Sequence, residues 1–359
     1  MTRLTLSTFL ILLGSSGAAL AQVAHVEGEH SLMTVVPATF SAPAGVESAV
    51  PAARLAAQTG SPSLNVFGQR RRGSYVGYLD DAVVSSKIRM RFEIGRHNRT
   101  PDRAEFFYAK CGCYRGLPAN NPARDPDAKG PGTDIPDYLD FQQFYVLAEY
   151  ATSNNRFSAF GEVPIRSLQP QGAGGFGDQN GISDVRAGAK FGFASTEQMS
   201  LTAQVKAFFA SGDARSGLGT GHASIEPGLL YQRNLSDRAS IATQVALWIP
   251  FGGSNGVPTD VDGTFAGNIL SYGIGPSFEV YSTANVGIAP VVELVGWHVL
   301  SGYQTEATAD ASGTNIVNLK FGGRANWSNG SSIYAGYGRA LTEADWYEDI
   351  FRFEYRFTF

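Results

Sequence analysis

The sequence predicts an all-β protein: a transmembrane, antiparallel, up-and-down β-barrel of about 12 strands. Three observations carry this prediction. After residue 83, apolar and polar residues alternate with period two in segments of about 11–15 residues. The connections between those segments alternate between short and long. The chain also opens on a stretch that reads as an export signal.

In residues 1–21, Arg3 supplies a positive start and Leu4 to Leu13 a short apolar core. Ala19-Leu20-Ala21 then offers small residues for cleavage after Ala21. The core is too short for a membrane helix, so this is a secretory signal peptide. Residues 22–80 are rich in Ala, Val, Pro and Ser and carry Arg70-Arg71-Arg72, which predicts a periplasmic tail or linker. Residues 81–359 then form the barrel.

The first alternating segment, 83–94, sets Ile88, Met90, Phe92 and Ile94 against Lys87, Arg89, Arg91 and Glu93. Further strands are expected at 140–151, 156–168, 181–193, 199–210, 222–234, 239–251, 267–281, 285–299, 314–327, 331–341 and 349–359. The last alternates Phe351, Phe353, Tyr355, Phe357 and Phe359 with Arg352, Glu354, Arg356 and Thr358. Short turns fall near 153–155, 196–198, 236–237, 283–284 and 328–330, where Asn329-Gly330 suits a two-residue hairpin with both central residues at positive φ. Long connections fall at 95–139, 169–180, 211–221, 252–266, 300–313 and 342–348. An even strand number with short periplasmic turns and long outer loops is the pattern of an outer-membrane barrel.

Lipid explains the alternation. Backbone groups find no water in a bilayer, so the sheet must close on itself with its apolar face outward. The best candidate for a transmembrane helix after residue 21, Val286 to Leu300, is interrupted by Pro290, Glu293 and His298. Glycines such as Gly188, Gly273, Gly275 and Gly322 are expected to let strands bend. Tyr150, Tyr281, Tyr334 and Tyr337 are expected in interfacial girdles. Pro227, Pro276 and Pro290 fall inside expected strands, where a missing N–H demands a bulge or a strand end.

The composition agrees. Of 359 residues, 43% are hydrophobic and only 17% charged, which excludes disorder and a coiled coil. A net charge of -4 gives no footprint for nucleic acid. Mean hydropathy is -0.10 despite 23 Phe and 15 Tyr, because the two strand faces cancel on averaging.

The inner faces are expected to line a lumen with Lys87, Arg89, Arg91, Arg166, Arg186, Lys190, Lys206, Lys320, Arg324, Arg339, Arg352 and Arg356. Opposing them stand Glu93, Glu149, Glu162, Asp184, Glu226, Glu279, Glu293 and Glu354. Such a set serves either as an ion-pair network that stiffens the barrel or as a lumen biased toward anions. Twelve strands predict a narrow or loop-gated pore. Phe106, Phe107 and Tyr108 in the proline-rich loop 95–139 are expected to fold back over its mouth. Cys111-Gly112-Cys113 reads as a local clasp or two exposed thiols, since a zinc site needs four ligands and only His97 is near. A barrel hydrolase would need a Ser–His pair; His298 with Ser301 and His222 with Ser224 are weak candidates, so no catalytic, metal or cofactor residue is expected.

The final strand resembles the C-terminal signal by which outer-membrane barrels engage their assembly machinery, ending at Phe359. A second resemblance lies in Gly175-Phe176-Gly177-Asp178, Ser183-Asp184-Val185 and Gly188-Ala189-Lys190, continued by Ser211-Gly212-Asp213, Gly217-Leu218-Gly219-Thr220-Gly221 and Glu226-Pro227-Gly228-Leu229. These motifs are similar to the outer-membrane transporter family named for the meta-pathway of phenol degradation, over residues 140–359. The resemblance implies a barrel that moves small hydrophobic or aromatic molecules and has no catalytic residues. The expected role is thus a transporter or narrow channel for small molecules, hydrophobic, aromatic or anionic, with outer-membrane lipid around it. A closed structural or surface-display barrel is the alternative.

Overall fold

The computed structural model describes residues 74–100, 108–172, 176–254, 264–303 and 310–359. The signal segment, most of the tail, Phe106 and Phe107 lie outside these. Fourteen strands follow one another: β1 (Lys87–Asn98), β2 (Tyr138–Ala151), β3 (Phe157–Gln171), β4 (Gln179–Ile182), β5 (Arg186–Ser195), β6 (Met199–Phe208), β7 (Ala223–Asn234), β8 (Ala239–Phe251), β9 (Ile269–Phe278), β10 (Tyr281–Ser282), β11 (Val286–Val299), β12 (Asn315–Trp327), β13 (Ser331–Ala340) and β14 (Asp349–Thr358). All but the short β4 and β10 join one antiparallel ring. β1 closes it against β14, from Lys87↔Thr358 to Arg96↔Asp349. The fold is a closed barrel of twelve strands, as the alternation predicts.

The outer face carries exposed Ile88, Met90, Val146, Ile165, Val205, Leu229, Leu319 and Phe353. The opposite face of each strand is buried inside the barrel. Tyr150 is 75% exposed at the short-turn end, as a girdle residue should be. Tyr334 is not in the girdle: it is fully buried within the barrel, beside Tyr78 at 6.0 Å. A Cβ on Gly322 would meet the Tyr334 ring, so this glycine makes room for an inward aromatic rather than bending the strand. At 328–330 only Gly330 takes a positive φ (87°), giving a three-residue loop in place of the two-residue turn.

The strand prolines sit at local faults in the ladder. β7 and β8 pair through Ile225↔Ile249 and resume at Gly228↔Ala246, skipping Glu226 and Pro227. β9 and β11 likewise skip the pairs beside Pro276, between Val291↔Ser277 and Leu294↔Ile274. Near Pro290 the partner of β11 changes from β9 to β10, and the register slips by one residue. Each fault falls where proline has no N–H to donate.

The largest departure from expectation concerns residues 74–80, assigned above to the tail. With residues 81–86 they run inside the barrel. From Ser86 at the short-turn end the segment rises to mid-barrel at Tyr78–Asp80, where it meets Lys320 and Arg352, then returns toward Glu279 at Tyr75. Tyr75, Val76, Tyr78 and Leu79 pack with Phe141, Val291, Tyr334 and Ile350 in the main apolar core, which therefore lies within the barrel. A Cβ on Gly273 would collide with Leu79, so this inner glycine accommodates the plug.

Candidate functional site

The plug forms no strand; side chains of the wall satisfy its backbone. The Glu293 carboxylate accepts N–H groups of Gly77 (2.9 Å), Tyr78 (2.6 Å) and Leu79 (3.3 Å). The Gln244 amide oxygen accepts the Asp80 N–H at 2.8 Å. Arg324 donates to the Val76 carbonyl, Arg352 to Gly77, Lys190 to Asp81 and the Thr202 hydroxyl to Ala82. Buried polar backbone needs such partners, and bonds to charged groups are the stronger kind.

The predicted inward residues of β1, β5, β6, β12 and β14 meet here. Lys87 and Arg356 both reach Asp81, at 2.8 and 3.1 Å. Lys190 pairs with Glu149 at 3.2 Å, and Lys206 with Asp80 and Glu226 at 2.6 and 2.7 Å. Arg89, Arg91 and Arg186 crowd one carboxylate, Glu162, at 2.8, 3.7 and 3.0 Å. Arg352 holds Glu93, while Arg324 and Arg356 share Glu354 at 2.7 and 3.0 Å. Lys320 stands opposite Glu293 in register, yet the two form no ion pair. Its ammonium donates instead to the Tyr347 hydroxyl at 2.8 Å and lies over the Tyr78 ring at 4.0 Å.

Two expected lumen charges lie elsewhere. Arg339 lies on the same face of β13 as the outward Ile333 and Ala335, is exposed, and pairs with Glu348 at 3.1 Å. Asp184 braces the outer loops, accepting the Gly212 N–H and both the N–H and hydroxyl of Thr220. The Val185 N–H meanwhile donates to the Ser211 hydroxyl. The two motif stretches that carry the family resemblance thus bond to one another.

The segment 108–137 crosses the outer mouth. Tyr108 is buried against Phe176, the Ala109 N–H donates to Gly219, and Lys129 reaches the Gly221 carbonyl. Lys110 is buried with Asp125 at 3.1 Å and lies over the Tyr114 ring at 4.7 Å. Cys111 and Cys113 are joined to each other, so the cysteine pair is a local clasp. The Tyr347 hydroxyl lies below this cap, and burial pushes its ionisation well above the usual range. Burial likewise holds the His222 imidazole below its usual range. Its Nδ1 faces the Ala223 carbonyl, and that of His298 faces Asn315; neither contacts a serine hydroxyl.

Beside the plug, inside the barrel, lies a cavity of about 210 Å³, bordered by Asp80, Lys206, Phe208, Lys320 and the stacked pair Trp297–Trp346. Its lining includes ten basic and six acidic side chains. A second cavity of about 160 Å³ opens at the short-turn end, and Asp81 and Arg356 border both. The plug was missed in the sequence because it lacks periodicity. Lone inward Glu279 and Glu293, beside glycines on β9 and β11, were the available signal.

A closed antiparallel barrel with an apolar belt, a charged interior and one end of short turns is an outer-membrane β-barrel. No known protein family matches the chain, and no curated protein does. Among solved structures it is similar to an outer-membrane channel from Pseudomonas putida F1, at 12% identity and a TM-score of 0.48 over 79% of this chain and 100% of that one. The KdgM porin matches at 10% identity and 0.36, over 76% and 99%. The β-domain of the Bordetella autotransporter BrkA matches at 15% identity and 0.45, over 77% and 100%. At these identities the likeness is one of fold.

Proposed function

We propose that the chain is a gated outer-membrane channel for small anionic solutes, closed at rest by its own residues 74–86. The cation excess around the central cavity carries this reading: ten basic residues face six acidic ones, and two of the six, Asp80 and Asp81, belong to the plug. A ring of Arg and Lys biases a pore toward anions. The stacked Trp297–Trp346 pair at the cavity supports solutes with a planar or aromatic part, in line with the family that the loop motifs resemble.

The test compares the full chain with one lacking residues 74–84, each in planar bilayers under a KCl gradient. The deletion should give steady conductance steps whose reversal potential favours chloride over potassium. A second reading, a closed structural barrel, draws on the cover present at both ends. Tight seals from both chains, with no solute uptake into liposomes, would establish it and end the channel reading.

A further inference from the structure

Asp80 and Asp81 place two adjacent carboxylates against cations of the wall. Asp81 meets Lys87 Nζ at 2.8 Å and Arg356 Nη1 at 3.1 Å, while Lys190 Nζ holds its carbonyl at 3.0 Å. Asp80 meets Lys206 Nζ at 2.6 Å and the Gln204 amide at 3.0 Å. Without the plug Lys87, Lys190 and Arg356 are under-compensated by the wall, while Lys206 keeps only Glu226, at 2.7 Å. Lys87 and Lys190 share Glu149, at 3.5 and 3.2 Å, and Arg324 and Arg356 share Glu354. Both aspartates also border the central cavity, so a solute there can reach the same cations.

We propose that Lys87, Lys190, Lys206 and Arg356 form a binding site for a small dianionic solute, and that Asp80 and Asp81 occupy it as a built-in stand-in. The inference rests on the channel reading above and names the chemistry of its cargo. A dicarboxylate or a phosphate supplies the two negative charges that the aspartates bring. When it binds, the aspartates lose their partners and the plug loosens. Because Asp81 and Arg356 border both cavities, parting them joins the two into one path.

Hydrogen exchange on the full chain in detergent tests this, with succinate, inorganic phosphate and sodium chloride compared at equal ionic strength. Succinate or phosphate should speed exchange of the 76–82 amides about tenfold over chloride, as a competitor for the plug's site must. The more effective of the two identifies a carboxylate or a phosphate cargo. The amides of residues 109–130 should stay unchanged. Equal effects of all three salts, or slower exchange in 76–82, overturns the proposal. Calorimetry on Asp80→Asn/Asp81→Asn gives an independent reading: succinate should bind about tenfold more tightly than to the wild type, and equal or weaker binding overturns it. Failure to conduct would remove the channel reading alone. Conduction with unmoved exchange would remove this inference alone.

Discussion

Residues 74–86 and residues 108–137 cover opposite ends of the same barrel, and they are held by different forces. The plug has almost no bonds of its own; its amides and carbonyls are met by Glu293, Gln244, Arg324, Arg352 and Lys190 of the wall. The cap bonds chiefly to itself. Gly112 N–H donates to Pro131, Asp125 N–H to Tyr114 and Gly130 N–H to Lys110, at 2.8, 3.0 and 2.7 Å. A segment held by charged side chains answers to ions in the lumen, whereas one held by its own backbone does not. The difference assigns sensitivity to solute to the plug and steadiness to the cap.

Glu293→Ala should break this contrast most strongly. It strips the acceptor from three buried N–H groups, a loss of about 3–5 kcal/mol. Hydrogen exchange at residues 77–79 should accelerate by about 100-fold or more, with the cap unmoved; equal acceleration in both regions would mean that the two covers are one unit. Next comes Lys110→Met, which leaves the Asp125 carboxylate buried without its ammonium, at a cost of about 3 kcal/mol. Limited proteolysis should then cut within 108–137 while plug exchange stays at the wild-type rate. The smallest effect belongs to Cys111→Ser/Cys113→Ser. So short a covalent loop contributes about 1–2 kcal/mol, visible as slightly faster exchange at residues 111–116 and nowhere else.

The wall was legible in the sequence because lipid enforces a period of two on it. β8 begins and ends at the predicted 239 and 251, and β12 and β13 agree within a residue. The first strand was set four residues early, at 83–94 against Lys87–Asn98, because Val83 and Val84 look like strand residues but belong to the rising limb of the plug. The plug itself left little signal in the sequence, for a physical reason. Its partners lie up to 275 residues away in the chain, as with Gly77 and Arg352, and they impose no local pattern. Lys320 stands opposite Glu293 in the ladder, but three amides of the plug claim that carboxylate. Most of the lumen charges could be assigned by type and strand face, but Arg339 and Asp184 could not, and the partners were hidden throughout.

Asp81 also bears on how the molecule is put together. Lys87 opens the first strand of the ring and Arg356 lies near the end of the last, and one carboxylate of Asp81 holds both. Those two strands form the seam at which the barrel closes. Asp81 therefore ties the plug to both sides of the seam at once. The same thirteen residues that occupy the lumen thus also brace the joint where the ring meets itself.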